Sequence, residues 1–589
     1  MLLRMFVFAI CLTVGVFAAD RMERRDVVVI GAGVAGMATA VEAASHGANV
    51  TVVEMSSVFG GHAVMSEGGL ALVNTSTQRR LGVTDSVEVA RQDFIRWGAN
   101  PNVPWVERYV RESSSEVHDW LIAMGLQFTV LRTPAGNSVP RFHENAERGL
   151  GVAKVLLLQC LKSPNIRFVW NTQAIGIERE GGAAAGVKCL NLRTGAKTTV
   201  RAAGVVLATG GFQSNINFLR QHWPSALTFP ERMLVGSGVN STGTGHTMAS
   251  AAGAALVNMD RQWNYPWGLP DPRYPDGVRG ISVRMPAAIW VNKAGKRFVD
   301  EHASPKVATP ALLTQPGATY WAVFDAPGKE EFVVAGTDWT DKRRIRALLL
   351  NNPNVVKQAG SMAELARSIG VPELNLQRTV AQYNQMVLDG IDEDFGRFGK
   401  GNDVNQSSHR RAPTRLGTPP FYAMQLYPLS RKSMGGIAID DSCRVLDRKG
   451  SVIDGLYAAG EAAGQGGLNG VAALEGTFLA PGILQGRIIG RQFGFQTPSV
   501  PKQAGTAQHV DASSGKPAPG CQTCHNVKDL ISQKRSGFWH FERVHTRVLE
   551  RNYECLMCHQ DMTPFRPATH TINRAYQAGQ CATCHLASE

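Results

Sequence analysis

Six of the ten cysteines in this 589-residue chain fall within its last 69 residues. They form three Cys-x-x-Cys-His units: Cys521, Cys524 and His525; Cys555, Cys558 and His559; Cys581, Cys584 and His585. Two thiols at this spacing can bond the two vinyl groups on one porphyrin edge, and the adjacent imidazole then reaches the iron, which is the attachment pattern of a c-type haem. One such unit could also be a disulfide or a zinc site. Three in one short segment, each with histidine after the second cysteine, favour haem. Each iron needs a sixth ligand, and the segment holds His540, His545 and His570, one spare imidazole per haem. Bis-histidine ligation and low-potential electron carriers are therefore expected, with His509, Met557 and Met562 as alternative ligands.

A second chemistry is written near the other end. The apolar run Asp26 to Ile30 leads into Gly31-Ala-Gly33-Val-Ala-Gly36, then a helical pattern to about His46, then a second apolar run from Asn49 that ends at Glu54. The glycines allow a tight turn and close helix packing, the helix N-terminus faces a pyrophosphate, and Glu54 can accept ribose hydroxyls. Strand, turn, helix and acid in this order predict a dinucleotide site. They do not by themselves choose between NAD and FAD.

Further glycine-rich motifs follow: Gly60, Gly61 and His62; Ser66-Glu67-Gly68-Gly69; Ala208-Thr209-Gly210-Gly211; Gly460-Glu461; Ser433-Met-Gly-Gly-Ile437; and Gly295-Lys-Arg-Phe-Val-Asp-Glu301. Together they resemble the fumarate reductase/succinate dehydrogenase flavoprotein family, which includes urocanate reductases and ketosteroid dehydrogenases. The resemblance covers about residues 25–495. It implies FAD, an α/β Rossmann-like FAD-binding domain with an inserted α+β capping domain, and hydride exchange at one carbon of a C–C bond while an acid/base group moves a proton at the other. His62 stands six residues before Gly68, where succinate dehydrogenases carry the histidine that binds flavin covalently, so a histidyl FAD through His62 is an expectation of the same resemblance. The C-terminal segment resembles small multihaem cytochromes of the c3/c7 kind: a small, mostly α or irregular domain that depends on its haems to fold.

The chain departs from the family where fumarate is gripped. The position of the proton-donating arginine, seven residues after Phe298, is Pro305, with Lys306 beside it. The clamp histidine becomes Tyr265, as in urocanate reductases; the histidine before Met-Gly-Gly becomes Lys432; the late carboxylate-binding arginine becomes Ala473. Arg284 keeps the place of a relay arginine, although its acidic partner is replaced by Ile281. Arg284, Tyr265, Lys432 and Lys306 are thus the candidate catalytic residues, with Arg431 and His143 as further possibilities. The cations suggest a small anionic substrate other than fumarate.

These residues need a scaffold of several domains, which the length requires. Residues 21–259 and 431–496 are expected to form the FAD domain, 260–430 the capping domain, 497–520 a Pro/Gly/Ser/Ala-rich linker, and 521–589 the trihaem domain. Residues 1–19, with Arg4 ahead of an apolar stretch and a small-residue cleavage pattern, read as a signal peptide; the apolar stretch is shorter than the roughly 20 residues of a membrane span. An exported, periplasmic and soluble protein without stable membrane insertion follows. The net charge of +13 comes from scattered basic residues, which argues against nucleic acid as a partner. Cys160, Cys189 and Cys443 lie singly and look structural. The leading expectation is a flavocytochrome reductase taking electrons from a quinol-linked or soluble cytochrome. The alternatives are a dehydrogenase with the opposite flow and an electron-transfer protein without an organic substrate.

Denatured, mature protein is expected to keep three c-type haems per chain in a pyridine haemochrome assay. Flavin should stay with the denatured chain through His62; release of all flavin while the haems remain rules that bond out.

Overall fold

The computed structural model describes residues 23–336, 339, 341–398 and 412–493. The expected signal peptide, linker and trihaem domain, with all six haem cysteines and all six candidate haem histidines, lie outside the described residues.

The strand Glu23–Ile30 ends in Val-Val-Val-Ile, whose side chains are almost completely buried. A continuous apolar run suits a parallel strand covered on both faces. It pairs in parallel with Val50–Val53 on one side and Lys197–Leu207 on the other. Ile166–Val169 extends the sheet beyond Val50–Val53, and Val452–Ala458, from far along the chain, joins beside Lys197–Leu207. Between the first two strands runs the helix Val34–Ser45. Its start is fixed by two glycines. Gly31 has φ +111°, and a Cβ there would lie 2.4 Å from the Ala208 carbonyl oxygen; a Cβ on Gly36 would lie 2.0 Å from the Gly31 carbonyl oxygen. Only hydrogen fits at either place.

A second sheet is centred on the long strand Phe421–Ser433. It pairs antiparallel with Gln262–Pro270, Tyr320–Phe324 and Val356–Ala359, and parallel with Leu234–Val235. This sheet takes strands from both sides of the divisions expected at residues 259/260 and 430/431. Helices Met362–Ile369 and Glu373–Asp389 cover it, each ending at a left-handed glycine, Gly370 and Gly390. One apolar core runs through both sheets, and a smaller one lies under these two helices. Cys160, Cys189 and Cys443 are buried free thiols, and burial pushes all three up, Cys189 to about 11. Among the described residues, no helix is long and apolar enough to cross a membrane.

The Gly295–Glu301 motif works through a buried ion network. Arg297 donates to Glu301 at 2.8 and 2.9 Å and to Asp392 at 3.0 and 2.8 Å; Arg397 donates to Glu301 at 3.0 Å and to the carbonyls of Ala288 and Pro286 at 2.9 and 2.6 Å. These side chains are at most 2% exposed. The network sets the loop that delivers Ser304 and Pro305 to the site. Burial alone would raise the Glu301 carboxyl, but Arg397 and Arg297 hold it below its usual range; Asp392 is held low by Arg297 against the same burial effect. Breaking one partner strands a buried charge, so Glu301→Ala is expected to lower stability by about 3–5 kcal/mol, read as a loss in thermal or denaturant midpoint. In the wild type the stabilisation is complete above the carboxylates' ordinary titration range and is lost as pH falls through their lowered folded values. A midpoint that is flat through acid pH contradicts this.

Candidate active site

Two cavities of about 1110 and 1000 Å³ meet end to end at Gly33, His62, Ala208 and Gly210. The first is a mould for a dinucleotide. Its walls include Gly31, Gly33, Glu54, Thr209, Gly210 and Ser241. A Cβ on Gly33 would touch nothing within 4 Å, so this glycine opens directly on the cavity at the helix N-terminus. Glu54 is buried where the second strand ends; its two carboxylate oxygens accept the Ala32 N–H at 2.7 Å and the Ser56 N–H at 2.8 Å. Burial raises this carboxyl, and the N–H groups only partly offset it. The Thr209 hydroxyl and His62 Nε2 are buried without a partner among the described residues. Both are polar groups facing a space that a polar ligand would fill.

At the meeting point, Gly60 and Gly61 adopt left-handed backbone and start the short turn that carries His62. His62 Nδ1 lies 3.3 Å from the Ser237 hydroxyl and 3.7 Å from a Glu461 oxygen. Burial pulls the imidazole down, with Glu461 opposing, whereas Glu461, despite burial, is held below its usual range by His62, the Ser433 N–H at 2.9 Å and Lys432. Gly68 and Gly69 leave room for the Arg148 backbone and the Phe142 ring, which would stand about 2 Å from any added Cβ.

The second cavity holds the reactive side chains. Tyr265 comes from the strand Gln262–Pro270 and Lys432 from its partner strand; the pairing places Trp263 opposite Lys432 and Tyr265 opposite Leu429, with a bulge between. The Tyr265 hydroxyl lies 3.2 Å from both oxygens of Glu475, and Lys432 Nζ donates to the Tyr265 oxygen at 3.3 Å. Lys432 is 3.8 Å from Glu475, and the Trp263 indole N–H donates to Glu475 at 3.3 Å. Burial pushes the Tyr265 phenol well up, and Glu475 adds to that. Burial pulls Lys432 down, with Glu475 opposing. Arg284 lies 3.7 Å from Glu67 and over the Trp267 ring, and Arg431 donates to the Gly236 carbonyl.

The model of the FAD binding domain family matches residues 26–479. The chain belongs to this family. It is an FAD-dependent oxidoreductase. It is 32% identical to a KsdD-like steroid dehydrogenase of Mycobacterium tuberculosis over 540 residues, covering 79% of this chain and 95% of that one. It is 31% identical to a fumarate reductase (cytochrome) of Shewanella frigidimarina over 496 residues, covering 82% and 81%. Among solved structures, the open conformation of a flavocytochrome c3 fumarate reductase superposes with a TM-score of 0.66 at 27% identity, over 80% of this chain and 78% of that one. The residues of the first cavity suit the FAD of this flavoprotein: an open glycine at a helix end, a buried acid, and buried polar atoms left without partners.

Of the residues singled out from the sequence, Gly31, Gly33, Glu54, Gly60, Gly61, His62, Gly68, Gly69, Thr209, Gly210 and Glu461 all line one or the other cavity. Gly36 instead packs the helix onto the turn. Tyr265, Arg284, Arg431 and Lys432 gather in the second cavity. Lys306 does not line it; its amine donates to the Trp97 carbonyl at 2.9 Å and lies over the Trp97 ring. His143 is also elsewhere, fixed between Thr75 and the Arg141 carbonyl, its imidazole pulled down to about 4 by burial. Sequence reasoning missed Glu475 and Glu67 as charged partners. It also missed the alternation Trp263-x-Tyr265-x-Trp267, a period of two that puts three aromatic rings on one face of a strand.

Gly33→Val should fill the pyrophosphate end without disturbing the sheet. The flavin content per chain of the purified protein is expected to fall while the thermal midpoint changes little. Unchanged flavin content contradicts the assignment of this cavity.

Proposed function

We propose that this flavoprotein transfers a hydride to, or from, one carbon of a carbon–carbon bond in a small organic molecule, and that Tyr265 moves the proton at the neighbouring carbon. The observation that carries the reading is the cluster of buried Tyr265 with partly buried Glu475 and Lys432, opening on the cavity next to the flavin site. FAD, when bound, supplies the hydride chemistry and the two electrons of each turnover. Reduction adds one hydride and one proton across a C=C bond; dehydrogenation removes the same pair.

Tyr265 holds a proton that burial and Glu475 make hard to lose in the resting site. Lys432, donating to the phenol oxygen, stabilises the phenolate that forms as the proton leaves. Glu475 ties both groups in place and accepts the Trp263 N–H. The same three groups return the proton from solvent. In this reading Lys306 has no part in the reaction, and Arg284 orients the substrate at the far wall.

The expectation of an anionic substrate rests on Arg284, Arg431 and Lys432. Three carboxylates, Glu67, Glu461 and Glu475, line the same cavity. This balance supports a substrate with at most one negative group, and not a dicarboxylate. Three c-type haems on residues 521–589 would carry the electrons one at a time between FAD and a cytochrome or quinol-linked partner outside the cytoplasm, as the cysteine spacing and the N-terminal signal imply. The Shewanella relative is a cytochrome-type fumarate reductase. A second reading, dehydrogenation with electrons leaving through the haems, draws on the steroid dehydrogenase relative and on His62 Nε2, which has no partner among the described residues and so suits a covalent flavin.

Tyr265→Phe is expected to lower kcat by roughly 10²–10⁴-fold with a smaller change in KM. In the wild type, kcat should fall as pH rises through the Lys432 titration, below the ordinary lysine range. Glu475 favours the charged lysine, so in Glu475→Gln this falling limb moves to lower pH. Full activity of Tyr265→Phe, or a limb that stays in place in Glu475→Gln, contradicts the proton path.

A further inference from the structure

A small side chamber adjoins the reactive cavity and shares Glu67, Phe142, Arg284 and Glu475 with it. Its walls are Trp97, Trp263, Trp267 and Phe142, with Pro305 and Ala473. The last two are the positions where the family resemblance calls for arginines. Two long cationic side chains are thus replaced by a ring and a methyl group, and aromatic walls are what remains.

The walls are fixed, and their polar atoms are used. The Trp97 N–H donates to the Ala473 carbonyl at 2.9 Å, the Trp263 N–H to Glu475 at 3.3 Å, and the Trp267 N–H to the Ser282 hydroxyl at 2.9 Å. Trp97 and Trp263 are under 5% exposed, and Trp267 is 5% exposed. Gly136 permits this packing, because a Cβ there would stand 2.5 Å from the Trp97 ring. Rings held this way present carbon to the chamber. The charged groups that line it, Arg284, Glu67 and Glu475, are the ones it shares with the main cavity, so a charge placed among the indoles would lose its hydration. A planar uncharged ring would gain apolar burial and ring–ring contact. Beyond the shared Glu67, Arg284 and Glu475, a further polar group lines the chamber: Ser304, 1% exposed, whose hydroxyl has no partner among the described residues.

We infer that the chamber receives an uncharged planar ring of the substrate, conjugated to the reacting C=C bond, and that Ser304 hydrogen-bonds an oxygen substituent on that ring. This rests on the carbon–carbon oxidoreductase reading and names the substrate class for it. The ring lies among the indoles, the reacting carbons reach past Arg284 and Glu475 towards Tyr265, and the polar end of the molecule stays in the main cavity.

The test uses the purified full-length holoprotein and four compounds: cinnamate and crotonate, benzylideneacetone and pentenone. Each is assayed with reduced viologen, and each saturated counterpart with an oxidised indophenol dye. The phenyl member of each pair is expected to exceed the methyl member in kcat/KM by roughly tenfold or more, whether the polar end is carboxylate or ketone. A para-hydroxyl on the cinnamate ring should raise kcat/KM further, and Ser304→Ala should abolish that gain. Ala473→Leu, which narrows the chamber, should shrink the phenyl-to-methyl ratio; the wild-type series stands without it if the variant does not fold. Methyl compounds turned over as well as phenyl ones, or a hydroxyl preference unchanged in Ser304→Ala, overturn the chamber assignment and leave the oxidoreductase reading intact. Absence of turnover for all compounds in both directions, with FAD bound, overturns that reading and the chamber with it.

Discussion

The site depends on one contact, the packing of helix Leu479–Phe493 on helix Val34–Ser45. Three glycines spaced by four make it possible. A Cβ on Gly486 would stand 2.5 Å from the Ala35 carbonyl oxygen, one on Gly490 2.6 Å from the Glu42 Cβ, and one on Gly482 3.3 Å from the Gly460 Cα. The two helices therefore touch backbone to backbone. Arg487 and Arg491 then fix the register, each donating to Glu42 at 2.9 Å, with Arg487 also 2.9 Å from Glu116. This contact returns the chain, after some 200 residues spent in the second sheet, to the first βαβ unit. It brings Glu461 to His62 and Glu475 to Tyr265. Neither pair is near in sequence.

With the return fixed, the division of labour is clear. The parallel sheet and its first helix shape the dinucleotide cavity through glycines and one buried acid. The second sheet supplies Tyr265, Arg284 and Lys432 on strands, where neighbouring backbone hydrogen bonds limit their movement. The cations are offset inside the cavity: Arg284 lies beside Glu67, Lys432 beside Glu475, and Arg431 is held by a carbonyl. A low-dielectric site with such balance can adjust proton affinity, lowering Lys432 and raising Tyr265, without carrying a large uncompensated charge.

The cofactor half was legible because its signal is local. Gly31, Gly33, Gly36 and Glu54 sit within one strand–helix–strand unit, and their spacing alone encodes the turn, the helix end and the acid. Tyr265 and Lys432 were legible as departures from a family pattern, and Arg284 as a position that the pattern keeps. Glu475 and Glu67 were not, because a carboxylate's role there comes from a partner 210 or more residues away, across the helix contact or the sheet. Lys306 misled for the opposite reason: adjacency to Pro305 in sequence says nothing of direction, and the helix Pro305–Leu313 turns its amine to the Trp97 carbonyl. The helices at 362–389 end locally, at the left-handed Gly370 and Gly390, whereas the strand Phe421–Ser433, crossing an expected domain division, could be found only from its partners.

The central proposal is that one chain couples proton-linked chemistry at a flavin to electron flow through haems on residues 521–589. Anaerobic stopped-flow spectroscopy of the full-length protein tests it most directly, following the flavin and haem bands separately after a turned-over substrate is mixed in. The account predicts that the flavin changes redox state first and that the haems follow at the turnover rate, with both changes slowed together in Tyr265→Phe. Haems that keep their redox state through continuing turnover would contradict it.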